Sequence, residues 1–171
     1  MSNLPQAAIF DMDGTLCDVR TIRHIVTSNP KHRNFHKFHN ASIDCPAYPQ
    51  VVNLYRALQA QGIAMIVVTA RTEHFSFLTN LWLRDHGLAC DELLMRANKD
   101  QRPDHAVKQD LLQKILRQYR PIVAVDDRPQ IAEVWRSNGI PTIMVSESGD
   151  VDLSDAASAG VWLSTPDAKT P

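Results

Sequence analysis

At 171 residues the chain is long enough for one domain with a substantial buried core, and its 44% hydrophobic content is that of an ordinary globular protein. A net charge of −1 excludes a global field that would draw it to nucleic acid or membrane, so any electrostatic bias has to be local. No apolar run reaches membrane-spanning length and the N-terminus lacks a signal-peptide pattern. The sparse, odd set Cys17, Cys45 and Cys90 suggests free thiols in a reducing, cytoplasmic setting.

The first predicted element is a buried strand, Ala7-Ala8-Ile9-Phe10, which runs into Asp11-Met12-Asp13-Gly14-Thr15. Val51, Leu54, Tyr55 and Leu58 recur at helical spacing and Gly62 ends that helix. Ile63 to Val68 reads as a second buried strand. Phe75, Leu78, Leu81 and Trp82 mark a helix closed at Gly87, and Glu92 to Met95 is a weaker strand. Val107, Leu111, Leu112, Ile115 and Leu116 make the next helix, and Ile122 to Val125 a further strand. Ile131, Val134 and Trp135 define a short helix ended by Asn138-Gly139, before a strand at Thr142 to Val145. Residues 146–171 form a Ser-, Ala- and Asp-rich tail in which Val161-Trp162-Leu163 is a candidate strand. Strands alternating with helices predict an α/β fold, a doubly wound parallel sheet within a single domain. Ligands in such folds bind beyond the carboxyl ends of the strands.

Residues 17–46 break the alternation, with no clear period, and read as an irregular insertion that forms a small cap. From Val19 to Ile43 there is no acidic residue. The span carries Arg20, Arg23, Lys31, Arg33 and Lys37, with His24, His32, His36, His39, Phe35 and Phe38. A basic, aromatic-bearing segment suits a polyanion; a solvated loop and a histidine metal site are the competing readings.

The strand ends carry the chemistry. Asp11 and Asp13, two residues apart at a turn, need a cation to share their charge, and oxygen ligands favour Mg²⁺. Thr69-Ala70-Arg71 follows the second strand and offers a hydroxyl and a guanidinium to phosphate. Lys108 lies near the start of its helix, where a cation can offset a carboxylate cluster. Asp126-Asp127 are adjacent acids at a strand tip, costly without a compensating charge.

"IFDMDGTL", Thr69, Lys108 and "VDDRP" stand in the order of the four motifs of the haloacid dehalogenase (HAD) superfamily, and the resemblance extends from about Ala7 to Val145. "IVVTAR" and "VDDRPQIAEVWRSNGI" are similar to the 3′-phosphatase domain of bacteriophage-type polynucleotide kinase–phosphatases, and "FHKFHNASIDCP" to insertions in related phage phosphatases. The resemblance implies that Asp11 is the nucleophile and Asp13 the acid and base, with Thr69 and Lys108 holding the phosphoryl group. It implies a Mg²⁺ site of Asp11, Asp126, Asp127 and the Asp13 backbone carbonyl. Arg71 would contact substrate phosphate; from the basic composition of the insertion, Arg20, Arg23 and Lys37 are candidates to join it. The expected substrate is a phosphorylated molecule, with nucleic-acid 3′ ends first; the oligomeric state is left open. No Gly-x4-Gly-Lys-Ser/Thr occurs in these residues, so the likeness is to the phosphatase half alone.

Three other readings compete. A nucleotidase or other small-molecule HAD phosphatase would use the same residues. A non-catalytic nucleic-acid-binding module would require a lost catalytic position. A thiol phosphatase is suggested by Cys17/Arg23 and Cys90/Arg96, both at Cys-x5-Arg spacing, but neither intervening stretch has the glycine that such phosphate loops usually use.

Overall fold

A computed structural model describes residues 4–28, 31, 33–154 and 157. Five parallel strands form one sheet, β1 (Gln6–Phe10), β2 (Ala64–Thr72), β3 (Glu92–Arg96), β4 (Arg120–Asp126) and β5 (Thr142–Met144), in the order β3-β2-β1-β4-β5. The helices are α1 (His24–Thr27), α2 (Phe35–Ala41), α3 (Pro49–Ala60), α4 (Ser76–Asp85), α5 (Asp104–Ile115) and α6 (Pro129–Ser137). The predicted α/β architecture is therefore the observed one. Proline opens both α3 and α6, where its missing N–H costs nothing and its fixed φ suits the first turn.

The strands are buried on both faces, which explains their continuous apolar runs. Alternate residues divide between two cores. Ala8, Phe10, Met65, Val67, Val123 and Val125 pack with α3, Trp82 and the 17–46 segment. Ala7, Ile9, Ile66, Val68 and Ala124 pack with α5 and α6, including Trp135. At roughly 2 kcal/mol for each large side chain removed from water, these two layers dominate the stability of the fold.

The sequence-based boundaries change at two places that matter. β2 continues past Val68 to Thr72, so Thr69 and Arg71 lie on the strand rather than beyond it; a register shift against β3 between Thr69 and Thr72 marks the irregularity. Residues 17–46 contain α1 and α2 where no periodicity was visible. Helices of four and seven residues are too short to print a period, and α2 starts where the Asn34 side chain accepts from Lys37 N–H at 2.8 Å. Part of the tail belongs to the fold: Val145 bridges Val151, and Tyr48 Oη donates to the Glu147 carbonyl at 2.8 Å. The candidate strand at Val161–Leu163 lies outside the described residues. Among the described residues no helix is long and apolar enough to cross a membrane.

Candidate active site

Pairing of β1 with β4 through Phe10↔Val125 sets the tips of these strands side by side. Sequence reversal on either side of β1 makes this the switch point of the sheet, where a crevice opens. Asp11 N–H donates to the Val125 carbonyl at 3.0 Å, which fixes the Asp11 carboxylate beside Asp126. Lys108, one turn into α5, reaches between them, with Nζ 2.5 Å from Asp11 Oδ1 and 2.8 Å from Asp126 Oδ2. Lys108 and Asp126 are fully buried and Asp11 is 5% exposed. Burial first, then Asp126 and Asp127, push the Asp11 carboxyl up to about 7 against the pull of Lys108. Burial works against the Lys108 charge too, but Asp11 and Asp126 outweigh it and hold the ammonium above its ordinary range.

Asp127 completes the cluster. Carboxylate oxygens of Asp11, Asp126 and Asp127 lie within 4.8 Å of one another. Burial, then Asp126, raises Asp127 above the usual carboxylate range despite Arg128 and Arg23 nearby. Three converging carboxylates with a single ammonium bonded among them are a donor set that fits a hard divalent cation. Gly14 makes the approach possible: at φ +87° its missing Cβ would sit 2.4 Å from Asp127 Oδ2.

Asp13 lines the same cavity outside this cluster. Arg71 Nε and an Arg71 terminal nitrogen grip its two oxygens at 2.9 and 2.5 Å, and the other Arg71 terminal nitrogen donates to Thr79 at 3.2 Å. Burial alone would raise the Asp13 pKa, but the charge and hydrogen bonds of Arg71 hold it below the ordinary carboxylate range. Arg71 thus clamps Asp13 and also lines the cavity, where the sequence placed it as a phosphate contact. The Asp13 carboxylate is not among the clustered metal-type oxygens. Thr69, 1% exposed, accepts from Arg71 N–H at 3.2 Å.

These groups open into a cavity of about 550 Å³. Its polar wall includes Arg23, Arg96, Arg102 and Arg128, and its apolar wall Phe35, Phe38, Phe75 and Val26. Of the three cap cations singled out by sequence, Arg23 lines the cavity and lies 3.7 Å from Asp127. Arg20 does not line it: it is tied to Asp18 at 2.9 and 2.7 Å, an acid one residue before the acid-free span, and its guanidinium lies over the Tyr48 ring. Lys37 is exposed on α2 and also outside the lining. His39 is buried by aromatic neighbours, and burial pushes it down to about 4 against the pull of Asp13. It therefore stays neutral at mildly acidic pH and adds no charge to the cavity wall there. Among the described residues no histidine belongs to a metal-type cluster.

Sequence reasoning missed the Arg96–Asp104–Arg128 network. Asp104 pairs with Arg96 and, at 2.5 Å, with Arg128, while Arg96 Nε donates to the Ala70 carbonyl at 2.9 Å. One carboxylate thereby ties the ends of β2, β3 and β4 to the start of α5. The signals were present: Asp104 sits four residues before Lys108 on the same helix face, and Arg128 follows the acid pair. Neither Cys17 nor Cys90 lines the cavity, and burial helps hold both thiols protonated, with the Cys45 thiol the larger influence on Cys17. That removes the thiol-phosphatase reading.

The sheet and the strand-end cluster have the HAD form, and the family match makes this a phosphatase of the HAD class. Residues 5–150 match the family model of the polynucleotide kinase PNKP phosphatase domain, and the chain belongs to that family. A chain of the Pnkp1/Rnl/Hen1 RNA repair complex superposes with a TM-score of 0.72 at 26% identity, covering 85% of this chain and 44% of that one. A second structure of that complex gives 0.69 at 27%, covering 88% and 48%. This chain thus spans less than half the length of either. The class C acid phosphatase from Bacillus anthracis with tungstate bound shares the fold, with a TM-score of 0.61 at 14% identity over 98% of this chain and 77% of that one.

Proposed function

We propose that this chain is a Mg²⁺-dependent phosphomonoesterase that forms an aspartyl-phosphate on Asp11 and acts on polynucleotide 3′-phosphate ends. The observation that carries the reading is the buried Asp11 carboxylate, held by Lys108 against the Asp126–Asp127 pair at the floor of an arginine-walled cavity. An Asp11 oxygen attacks phosphorus as the ester P–O bond breaks. Asp13 gives a proton to the leaving alcohol and then takes one from the water that hydrolyses the acyl-phosphate. Arg71 keeps Asp13 ionised in the resting protein, so Asp13 takes the proton it donates from solvent water as substrate phosphate competes for the guanidinium. Thr69 Oγ, already accepting from Arg71 N–H, donates to a phosphoryl oxygen, and Lys108 orients Asp11. Asp11, Asp126, Asp127 and the Asp13 carbonyl would hold Mg²⁺, which supplies charge neutralisation at the phosphoryl oxygens.

Support for a nucleic-acid substrate comes from family membership, from the likeness to the RNA repair complex and from Arg23, Arg96, Arg102 and Arg128 around the cavity. The 17–46 segment acts as the cap, with Arg23 its contribution to phosphate binding. Free Cys17, Cys45 and Cys90 suit the cytoplasm. Phosphate release from a 3′-phosphorylated oligonucleotide, its 5′-phosphorylated counterpart and nucleoside monophosphates, run side by side, tests the reading. The 3′ end should give the highest kcat/KM. Higher kcat/KM for the monophosphates would make the enzyme a nucleotidase.

A further inference from the structure

A phosphate group occupies a small part of a cavity of about 550 Å³. The remainder has a distinct chemistry. Phe35, Phe38 and Phe75 line it, and His39 packs among them with ring centroids 6.2, 5.3 and 4.9 Å away, respectively. Phe35 is 54% exposed and lines the cavity, so its ring is open to whatever enters there. The same wall holds two buried nitrogens without a hydrogen-bond partner, Arg23 Nε and His39 Nδ1. Leaving such groups unpaired is costly, and polar edges of a ligand that the wall closes onto would relieve both. His39 is 9% exposed and its Nδ1 lies 3.9 Å from Asp13 Oδ2, which sets this wall directly beside the acid–base carboxylate.

Flat apolar faces with polar edge groups, one step from the scissile phosphate, match a nucleobase. The structure assigns the cap-side half of the cavity to the base of the nucleotide that bears the scissile phosphate: Phe35 covers its face, and Arg23 Nε and His39 Nδ1 meet its edge or the adjoining sugar. This rests on the phosphatase reading of the Asp11 site. It goes beyond it by making the cap a base-binding surface as well as a phosphate-binding one. A bare sugar phosphate would leave the aromatic wall wet and the two nitrogens unpaired.

The test compares a 3′-phosphorylated oligonucleotide with the same strand whose terminal nucleotide is a stable abasic analogue. Phosphate release is measured with the wild-type protein, and equilibrium binding with Asp11→Asn. Wild type should favour the base-bearing end by about 5- to 150-fold in kcat/KM, the range set by one base–aromatic stack. Phe35→Ala should collapse that ratio towards one, and Phe35→Trp should restore it. Because Phe35 is exposed, its loss does not endanger folding. Equal kcat/KM and equal affinity for the two ends would overturn the inference while leaving the phosphatase reading intact. Tighter binding of the base-bearing end without turnover of either would uphold the base site and sink the phosphatase reading. A wild-type preference that Phe35→Ala leaves unchanged would also overturn the inference.

Discussion

Replacing Lys108 by Met keeps the length of the side chain and removes its charge. The structure makes this a stability mutation as well as a catalytic one. Lys108 is fully buried and is the ammonium shared by Asp11 and Asp126, themselves 5% and 0% exposed. Removing one partner of a buried ion pair costs about 3–5 kcal/mol, because the remaining charges stay desolvated. For a chain of this length that lowers Tm by about 6–20 °C, at about 2–4 °C per kcal/mol. Asp11, already pushed up to about 7, loses the charge that pulls it down and rises further, so the nucleophile is protonated at neutral pH. Native Lys108→Met then binds more protons than native wild type above pH 7, and its stability falls faster as pH rises. Urea and thermal unfolding in EDTA at pH 6 and pH 8, with phosphate release on the same samples, measure both effects. The gap from wild type should be larger at pH 8. Lys114→Ala, in the exposed last turn of α5, is the control and should shift stability by less than about 0.5 kcal/mol. A Lys108→Met protein with wild-type Tm and turnover would refute the argument.

Gly14→Ala places a methyl on Asp127 Oδ2 and forces φ +87° on a residue with a Cβ. Backbone strain of about 1–2 kcal/mol is expected in the melt, together with a higher Mg²⁺ concentration for half-maximal activity. Burial alone would raise Asp104, but Arg128 and Arg96 hold it below the ordinary carboxylate range. Its contribution is therefore present above the unfolded pKa of about 3.9 and lost as pH falls through the lower folded value. Asp104→Asn should cost about 1–2 kcal/mol at pH 7, allowing for solvent at this partly exposed group, and the difference from wild type should vanish in acid unfolding curves. Asp13→Asn should slow alkyl phosphates far more than activated aryl phosphates, which need no leaving-group proton; equal losses on both would assign Asp13 a structural role.

The sheet was legible because strands buried on both faces print uninterrupted apolar runs, and α3 to α6 because an amphipathic face repeats. α1 and α2 were hidden by their length. The floor of the site was legible for a similar reason: adjacent acids at a strand tip have few structural uses, and Asp11, Lys108 and Asp126 meet as expected. What could not be read was which charge pairs with which. Arg71 satisfies Asp13, and Arg20 turns back to Asp18, because such pairings depend on distances between segments that spacing alone does not contain. The full burial of Lys108 was hidden for the same reason, since a lysine near a helix start reads as a surface charge. Asp104 escaped notice because an acid in the first turn of a helix already has an ordinary explanation in the helix dipole.

Asp11 as the nucleophile of a metal-assisted phosphatase is tested most directly by one measurement. Phosphate release from a 3′-phosphorylated oligonucleotide is followed for wild type and Asp11→Asn across a Mg²⁺ titration that starts in EDTA, with circular dichroism confirming that both are folded. The wild type should be inactive in EDTA and rise with Mg²⁺, while Asp11→Asn stays below wild type by at least about a thousandfold throughout. Full activity in EDTA, or a folded Asp11→Asn protein that retains a tenth of wild-type turnover, would contradict it.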